Sequence, residues 1–154
     1  MKRSFVRRAA FTLIEVLLVI GILLVLGTVS VVAYSRIKAG QDRNTAQLIV
    51  QETAKAVEIY QAVMSKLPDS ESGLKALIAK PDDEKEAAKW TSGGGPFLKD
   101  AKIPVDPWDS ELKYEFVGET AASSGGPAFH IWSLGPDKQD GNEDDVRNWT
   151  TTVN

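Results

Sequence analysis

Hydrophobic residues are concentrated in one uninterrupted run near the start of the chain. From Val16 to Ser35 no residue is charged, and leucine, isoleucine and valine dominate. Helical residues rise about 1.5 Å each, so a run of about 20 residues spans about 30 Å, the thickness of a bilayer's hydrocarbon core. The run therefore predicts a membrane-spanning helix.

Helical periodicity continues beyond this apolar run. Hydrophobic residues recur every three or four positions at Ala46, Ile49, Val50, Thr53, Ala54, Val57, Tyr60, Val63 and Met64. Gly40 is the only glycine between Ser35 and Pro68, and Pro68 ends the pattern. We predict one helix from about Thr12 to Ser65, apolar all round in its first half and amphipathic in its second. Two separate helices are the alternative.

The rest of the chain predicts a small mixed domain. A short helix is expected around Leu74 to Ile78, and another opens at Pro81. Apolar and charged residues alternate over residues 112–116, and residues 128–132 form a second apolar stretch, so both predict strands that pair with each other. The expected fold class is α+β, with a long N-terminal helix packed on a small antiparallel sheet.

Composition limits the chemistry of this domain. The chain has 154 residues, no cysteine and one histidine, His130, so disulfides and thiolate or multi-histidine metal sites are excluded. With one histidine and no Ser/His/Asp pattern, the sequence shows no recognisable catalytic constellation, and we do not expect an enzyme. The net charge of −3 argues against nucleic acid as a partner.

Charge is distributed unevenly, which changes the interpretation of the N-terminus. Residues 1–10 hold four basic residues and no acid, whereas residues 36–154 hold 14 basic and 20 acidic ones. Three interpretations compete: a cleaved signal peptide, a plain signal anchor, or a leader cut before the apolar run. The run is too long for an ordinary signal peptide, and an anchor leaves Glu15 unexplained, since a carboxylate in lipid is unfavourable.

The residues around Glu15 resemble a known processing motif. Phe11-Thr12-Leu13-Ile14-Glu15-Val16 after a short basic leader is similar to the motif of type IV pilins and type II secretion pseudopilins. The resemblance implies cleavage between Ala10 and Phe11 by a prepilin peptidase, which also methylates the new amine. The family normally has glycine where this chain has Ala10.

Glu15 would then be the fifth residue of the mature chain. A carboxylate in lipid needs a partner, and the amine of Phe11 in a neighbouring subunit is a suitable cation. Such a pair would fix the axial register of assembly. The alternatives are a pair with the amine of its own chain or a position among the lipid headgroups.

A second informative motif lies near the C-terminus. The nine residues from Asp137 to Asp145 contain five acids and one lysine. Dense carboxylates repel one another unless solvent or a cation intervenes, and calcium accepts irregular sets of oxygen ligands. The spacing differs from that of an EF-hand, and by itself it fits a solvated acidic turn as well as a calcium loop.

Further motifs extend the resemblance over almost the whole chain. They are similar in order to those of the major pseudopilins of type II secretion, and here they read Ser72-Gly73-Leu74, Trp90, Gly95-Pro96-Phe97-Leu98-Lys99, Ile103-Pro104-Val105-Asp106-Pro107-Trp108, Ser133-Leu134-Gly135-Pro136-Asp137 and Asp145-Val146-Arg147-Asn148-Trp149. The resemblance implies a type IV pilin-like fold with a C-terminal loop that binds Ca²⁺. The implied ligands are the side chains of Asp137 and Asp145 and the carbonyl of Leu134, with Asp140 and Asp144 as further candidates.

The resemblance also implies an organisation and a function. Residues 1–10 would be the cleaved leader, residues 11–35 the transmembrane and assembly half of the helix, and residues 36–154 the periplasmic head. The expected protein is a single-pass inner-membrane subunit that polymerises into a pseudopilus and drives export of folded proteins. Its partners would be further copies, minor pseudopilins, the prepilin peptidase and an inner-membrane assembly platform. A type IV pilin for adhesion, motility or DNA uptake is the alternative, which the absence of cysteine disfavours.

Overall fold

A computed structural model describes residues 11–118 and 127–149. The chain divides into two compact units, one ending at Gly40 and the other beginning at Gln41. The predicted leader over residues 1–10, with the cleavage-site residue Ala10, lies outside the described residues.

The long helix is confirmed as a single element, α1, from Leu13 to Met64. It continues through Gly40, so the alternative of two helices is wrong. At its start the Glu15 amide donates to Thr12 Oγ1 at 3.3 Å, as expected of an N-cap threonine. At its end Ser65 adopts a positive φ of 59°, which turns the chain out of the helix before Pro68.

The first half of α1 forms the membrane-length segment. It is long and apolar enough to cross a membrane by length and composition, with a mean hydropathy of 2.9 over its most apolar window. All its large aliphatic side chains from Leu13 to Leu26 are exposed, and their exposure ranges from 46% at Val16 to 82% at Leu13.

The second half of α1 supplies one wall of the core of the other unit. A stripe of its buried residues recurs at intervals of three and four, at Ala46, Val50, Thr53, Val57, Tyr60 and Met64, and Ala56 beside it is also buried. Its apolar members belong to a cluster with apolar residues from the rest of that unit, which include Leu74, Leu77, Trp90, Leu98, Leu112, Phe129, Ile131 and Val146. Burial of this stripe packs the second half of α1 against the sheet within this unit.

Both predicted strands are confirmed, and a third completes an antiparallel sheet of order β1-β2-β3. The strands are β1 (Lys113–Phe116), β2 (Phe129–Ser133) and β3 (Val146–Arg147). Phe116 departs from the expected half-buried alternation, because it is 42% exposed at the end of the edge strand. The strand β3, of only two residues, has too little sequence to show a period.

Short helical elements connect α1 to the sheet. A 3₁₀ helix spans Gly73–Leu77, the α-helix α2 spans Glu84–Ser92, and a second 3₁₀ turn spans Lys99–Ala101. Both predicted short helices are therefore present. Asp83 caps α2, because one of its carboxylate oxygens accepts from the amides of Lys85 and Glu86, each at 3.0 Å.

Candidate functional site

Two groups of candidate residues lie in separate parts of the chain, the first of them at the start of α1. Glu15 lies in the first turn of the helix, and Phe11, two residues before Leu13, is 79% exposed. The order Thr-x-x-Glu at Thr12 is that of a capping box, and the positive end of the helix dipole favours a carboxylate there. Glu15 is therefore stabilised by its own helix, and its exposed side chain is available to a partner.

The acidic loop, residues 134–145, leaves β2 and returns as β3. Ser133 and Val146 pair in the sheet, so both ends of the loop are anchored by the same antiparallel register. Gly135 has a φ of +68°, and a Cβ added there would come within 2.7 Å of Asp144 Oδ2. Only glycine allows this approach, which brings the residue after Leu134 against the predicted ligand Asp144.

Asp145 is the buried carboxylate of the acidic loop. Its side chain is 1% exposed, and Oδ2 accepts from Arg147 Nη2 at 2.7 Å and from the Gly141 amide at 2.9 Å. Oδ1 is buried and finds no donor in the described part of the chain. An unsatisfied buried oxygen costs about 1–3 kcal/mol, so this atom is a candidate ligand for a bound cation.

Asp137 and Asp140 already accept hydrogen bonds from the protein. Asp137 accepts from the Gln139 amide at 2.9 Å and from Asn142 Nδ2 at 2.8 Å. Asp140 accepts from Trp132 Nε1 at 2.9 Å. These bonds order the loop, and each carboxylate retains lone pairs that a cation could share.

The five predicted ligands do not form a ready-made carboxylate cage. Within residues 11–118 and 127–149, no three acidic or histidine side chains converge closely enough to hold a metal. The structure brings Gly135 together with Asp144, and among the described residues it leaves one oxygen of Asp145 without a donor. These features suit calcium, which accepts carbonyl and carboxylate oxygens in flexible geometry.

Asp106 is a positioning residue whose role the sequence pattern does not show. It is 3% exposed, and Oδ1 accepts from the amides of Trp108 at 2.9 Å and Ser110 at 2.8 Å. Oδ2 accepts from Ser133 Oγ at 2.5 Å, and Ser133 Oγ in turn accepts from the Gly135 amide at 3.2 Å. Asp106 thus ties a distant turn to the start of the acidic loop. Its position in the Asp-Pro-Trp motif was the available signal.

An aromatic cluster lies beside the end of the acidic loop. Trp149 stacks on His130 with ring centroids 3.9 Å apart and meets Trp132 edge-on at 5.8 Å. The Arg147 guanidinium lies 5.6 Å from the centre of the Trp149 ring. Burial lowers the pKa of His130 below its usual value, and Glu115 opposes that shift in part. His130 is a partly buried polar residue packed against Trp149.

Comparisons with known proteins agree with this architecture. The family model described as "Type II secretion system (T2SS), protein G" matches residues 34–149. The chain is 32% identical over 147 residues to the type II secretion system core protein G of Pectobacterium carotovorum subsp. carotovorum, covering 96% of this chain and 88% of that protein. It is 30% identical over 149 residues to its namesake from Pseudomonas aeruginosa PAO1, covering 93% and 96%.

A solved structure gives the same result. The fold is similar to that of the major pseudopilin from the type 2 secretion system of enterohaemorrhagic Escherichia coli, with a TM-score of 0.58 and 26% identity. The match covers 76% of this chain and 94% of that one, which confirms the long helix and the small antiparallel sheet. The motifs, the fold and these matches together place the chain in the type II secretion system protein G family, the major pseudopilins.

Proposed function

We propose that the chain polymerises through the first half of α1 and that the growing filament drives export of folded proteins across the outer membrane. As a family member, the chain is a structural subunit of the pseudopilus. The observation that supports helix-mediated assembly is the continuous exposure of aliphatic side chains from Leu13 to Leu26. An apolar surface of this extent requires lipid or other apolar helices around it.

The same segment is proposed as a single-pass anchor in the bacterial inner membrane. The basic residues at positions 1–10 favour a cytoplasmic N-terminus, because positively charged flanks remain on that side. The unit from Gln41 onward would then lie in the periplasm. Its role there is structural, and a type IV pilin function is not favoured by the family match.

Processing would prepare the subunit for assembly. We propose cleavage between Ala10 and Phe11 and methylation of the Phe11 amine by a prepilin peptidase. The free amine would provide the cation for Glu15 of a neighbouring copy. Minor pseudopilins and an inner-membrane assembly platform are the further proposed partners.

Replacing Glu15 by Ala tests the assembly role. We expect Glu15→Ala to remain in the membrane and to form at least about tenfold fewer filaments. Losing about 1.4 kcal/mol of charged interaction per contact between subunits already shifts the assembly equilibrium tenfold. Filaments sheared from cells overproducing the protein are quantified by immunoblot. Glu52→Ala, an exposed glutamate in the second half of α1, is the matched control and should assemble normally. Normal filaments from Glu15→Ala would contradict the register role.

We also propose that the acidic loop binds Ca²⁺. The proposed ligands are the Leu134 carbonyl and the side chains of Asp137, Asp140, Asp144 and Asp145. The support is chemical: Asp145 Oδ1 is buried without a donor among the described residues, and Gly135 packs against Asp144. A bound calcium ion would neutralise carboxylates that otherwise repel one another.

A further inference from the structure

The side chain of Arg147 crosses from β3 back into the acidic loop. Its Nη2 donates to Asp145 Oδ2 at 2.7 Å and to the Asn142 carbonyl oxygen at 2.9 Å. One cationic group therefore holds together a carboxylate and a backbone carbonyl from two points of the loop. These are the two kinds of oxygen that calcium binds in proteins.

Arg147 is itself held in place from outside the loop. Its guanidinium lies 5.6 Å from the centre of the Trp149 ring, and Trp149 stacks on His130 of β2. The Arg147 side chain is 24% exposed, whereas the Asp145 side chain is 1% exposed. A carboxylate buried to that degree is strongly unfavourable without a charged partner, and Arg147 supplies that partner in the folded chain.

The two oxygens of Asp145 are therefore used differently. Oδ2 is paired with Arg147 and the Gly141 amide, while Oδ1 is buried without a donor in the described residues. We propose that Arg147 is a built-in countercharge that supplies part of the neutralisation otherwise provided by calcium, so that the loop stays folded when calcium is removed. This rests on the proposed calcium site and adds to it a residue that sets how strongly stability depends on the metal.

Thermal unfolding with and without calcium tests this role. The full chain in detergent micelles is heated with calcium chloride or with a chelator, and tryptophan fluorescence reports on the loop through Trp132 and Trp149. The measured quantity is the difference in Tm between the two conditions. We expect Arg147→Met to enlarge this difference by about 5–10 °C over the wild type, since the buried carboxylate loses its only fixed cation in the described loop.

Two variants separate this role from a general effect of charge. Arg43→Met removes an exposed arginine whose Nη2 donates to the Glu143 carbonyl at 3.4 Å, and it should leave the difference unchanged. Arg147→Lys keeps the charge and should lie close to the wild type. Equal differences in Arg147→Met and wild type would overturn the countercharge role. If calorimetry detects no calcium binding to either protein, the calcium site itself fails, and the inference fails with it.

Discussion

The first half of α1 exposes its aliphatic side chains, whereas the second half buries a regular stripe of them. Leu23 is 61% exposed, and Met64, on the same helix, is 5% exposed. The backbone is helical at both positions, so the difference comes from the arrangement of side chains around the helix. Apolar residues on every side require a partner outside the chain, and an apolar stripe needs only the chain's own sheet.

This contrast lets one helix contribute both to folding and to the proposed assembly. Within the second unit, the stripe is covered by the sheet and by the short helical segments. The aliphatic surface from Leu13 to Leu26 is free for contacts between subunits and with lipid. Substitutions in the two halves should therefore act on different properties of the protein.

The largest expected effect is on stability. Met64→Ala should lower the free energy of unfolding by about 2–5 kcal/mol, because it removes buried methylene groups and leaves a cavity. Leu23→Ala should change it by less than about 0.5 kcal/mol, since its exposed side chain makes little packing contribution. Denaturant unfolding of the full chain in micelles, followed by tryptophan fluorescence, measures both. Equal losses would show that the two halves of α1 do not divide the work in this way.

An arginine introduced into each half of α1 should affect membrane insertion in the first half only. Leu23 and Leu48 are the same residue type on the same helix, exposed by 61% and 60%. Leu23→Arg should disfavour insertion by about 3 kcal/mol, the cost of an arginine near the centre of a membrane helix. Leu48→Arg should insert normally, because Leu48 lies in the unit that we propose to be periplasmic. The measurement is the resistance of each variant to alkaline extraction from membranes. Similar extraction of both variants would contradict the proposed boundary between the membrane segment and the rest of α1.

The smallest expected effect is a dependence of head stability on pH. Burial lowers the pKa of His130 in the folded chain, so the unfolded chain binds its proton more readily. His130 therefore favours the folded state above its unfolded pKa of about 6.5, and this contribution is lost as the pH falls through the lower folded value. Comparison of Tm at neutral pH and at about pH 5.5 measures the loss. His130→Phe, which keeps a ring against Trp149, should show a smaller decrease in Tm between the two pH values. An equal decrease would show that the carboxylates, and not His130, cause the pH dependence.

The helices and the first two strands were accessible from the sequence because their patterns are local. Intervals of three and four residues from Ala46 to Met64 set the buried face of α1, and alternation set β1 and β2. The exposure of Phe116 could not be predicted from the sequence, because alternation does not show that a strand ends at the edge of a sheet. The two residues of β3 are defined only by pairing with β2.

The candidate sites were accessible as residue types and not as contacts. The density of acids marked the loop, and resemblance supplied the proposed ligands. The pair of Asp145 and Arg147 is local, because the two residues are only two positions apart. The spacing could not show that Asp106 reaches Ser133 across 27 positions of the chain, since that contact depends on the fold bringing separate segments together.

Cysteine cross-linking tests the assembly surface most directly. Because the chain has no native cysteine, any cross-link must form through the introduced residue. A single Leu23→Cys substitution should give covalent dimers upon oxidation in membranes, because Leu23 lies on the proposed contact surface between copies. The same substitution combined with Glu15→Ala should give few dimers, and Val57→Cys, which is buried in the head, should give none. Strong Leu23→Cys dimers that require Glu15 are the predicted result. Leu23→Cys that remains monomeric in assembled filaments would contradict the assignment of the first half of α1 to assembly.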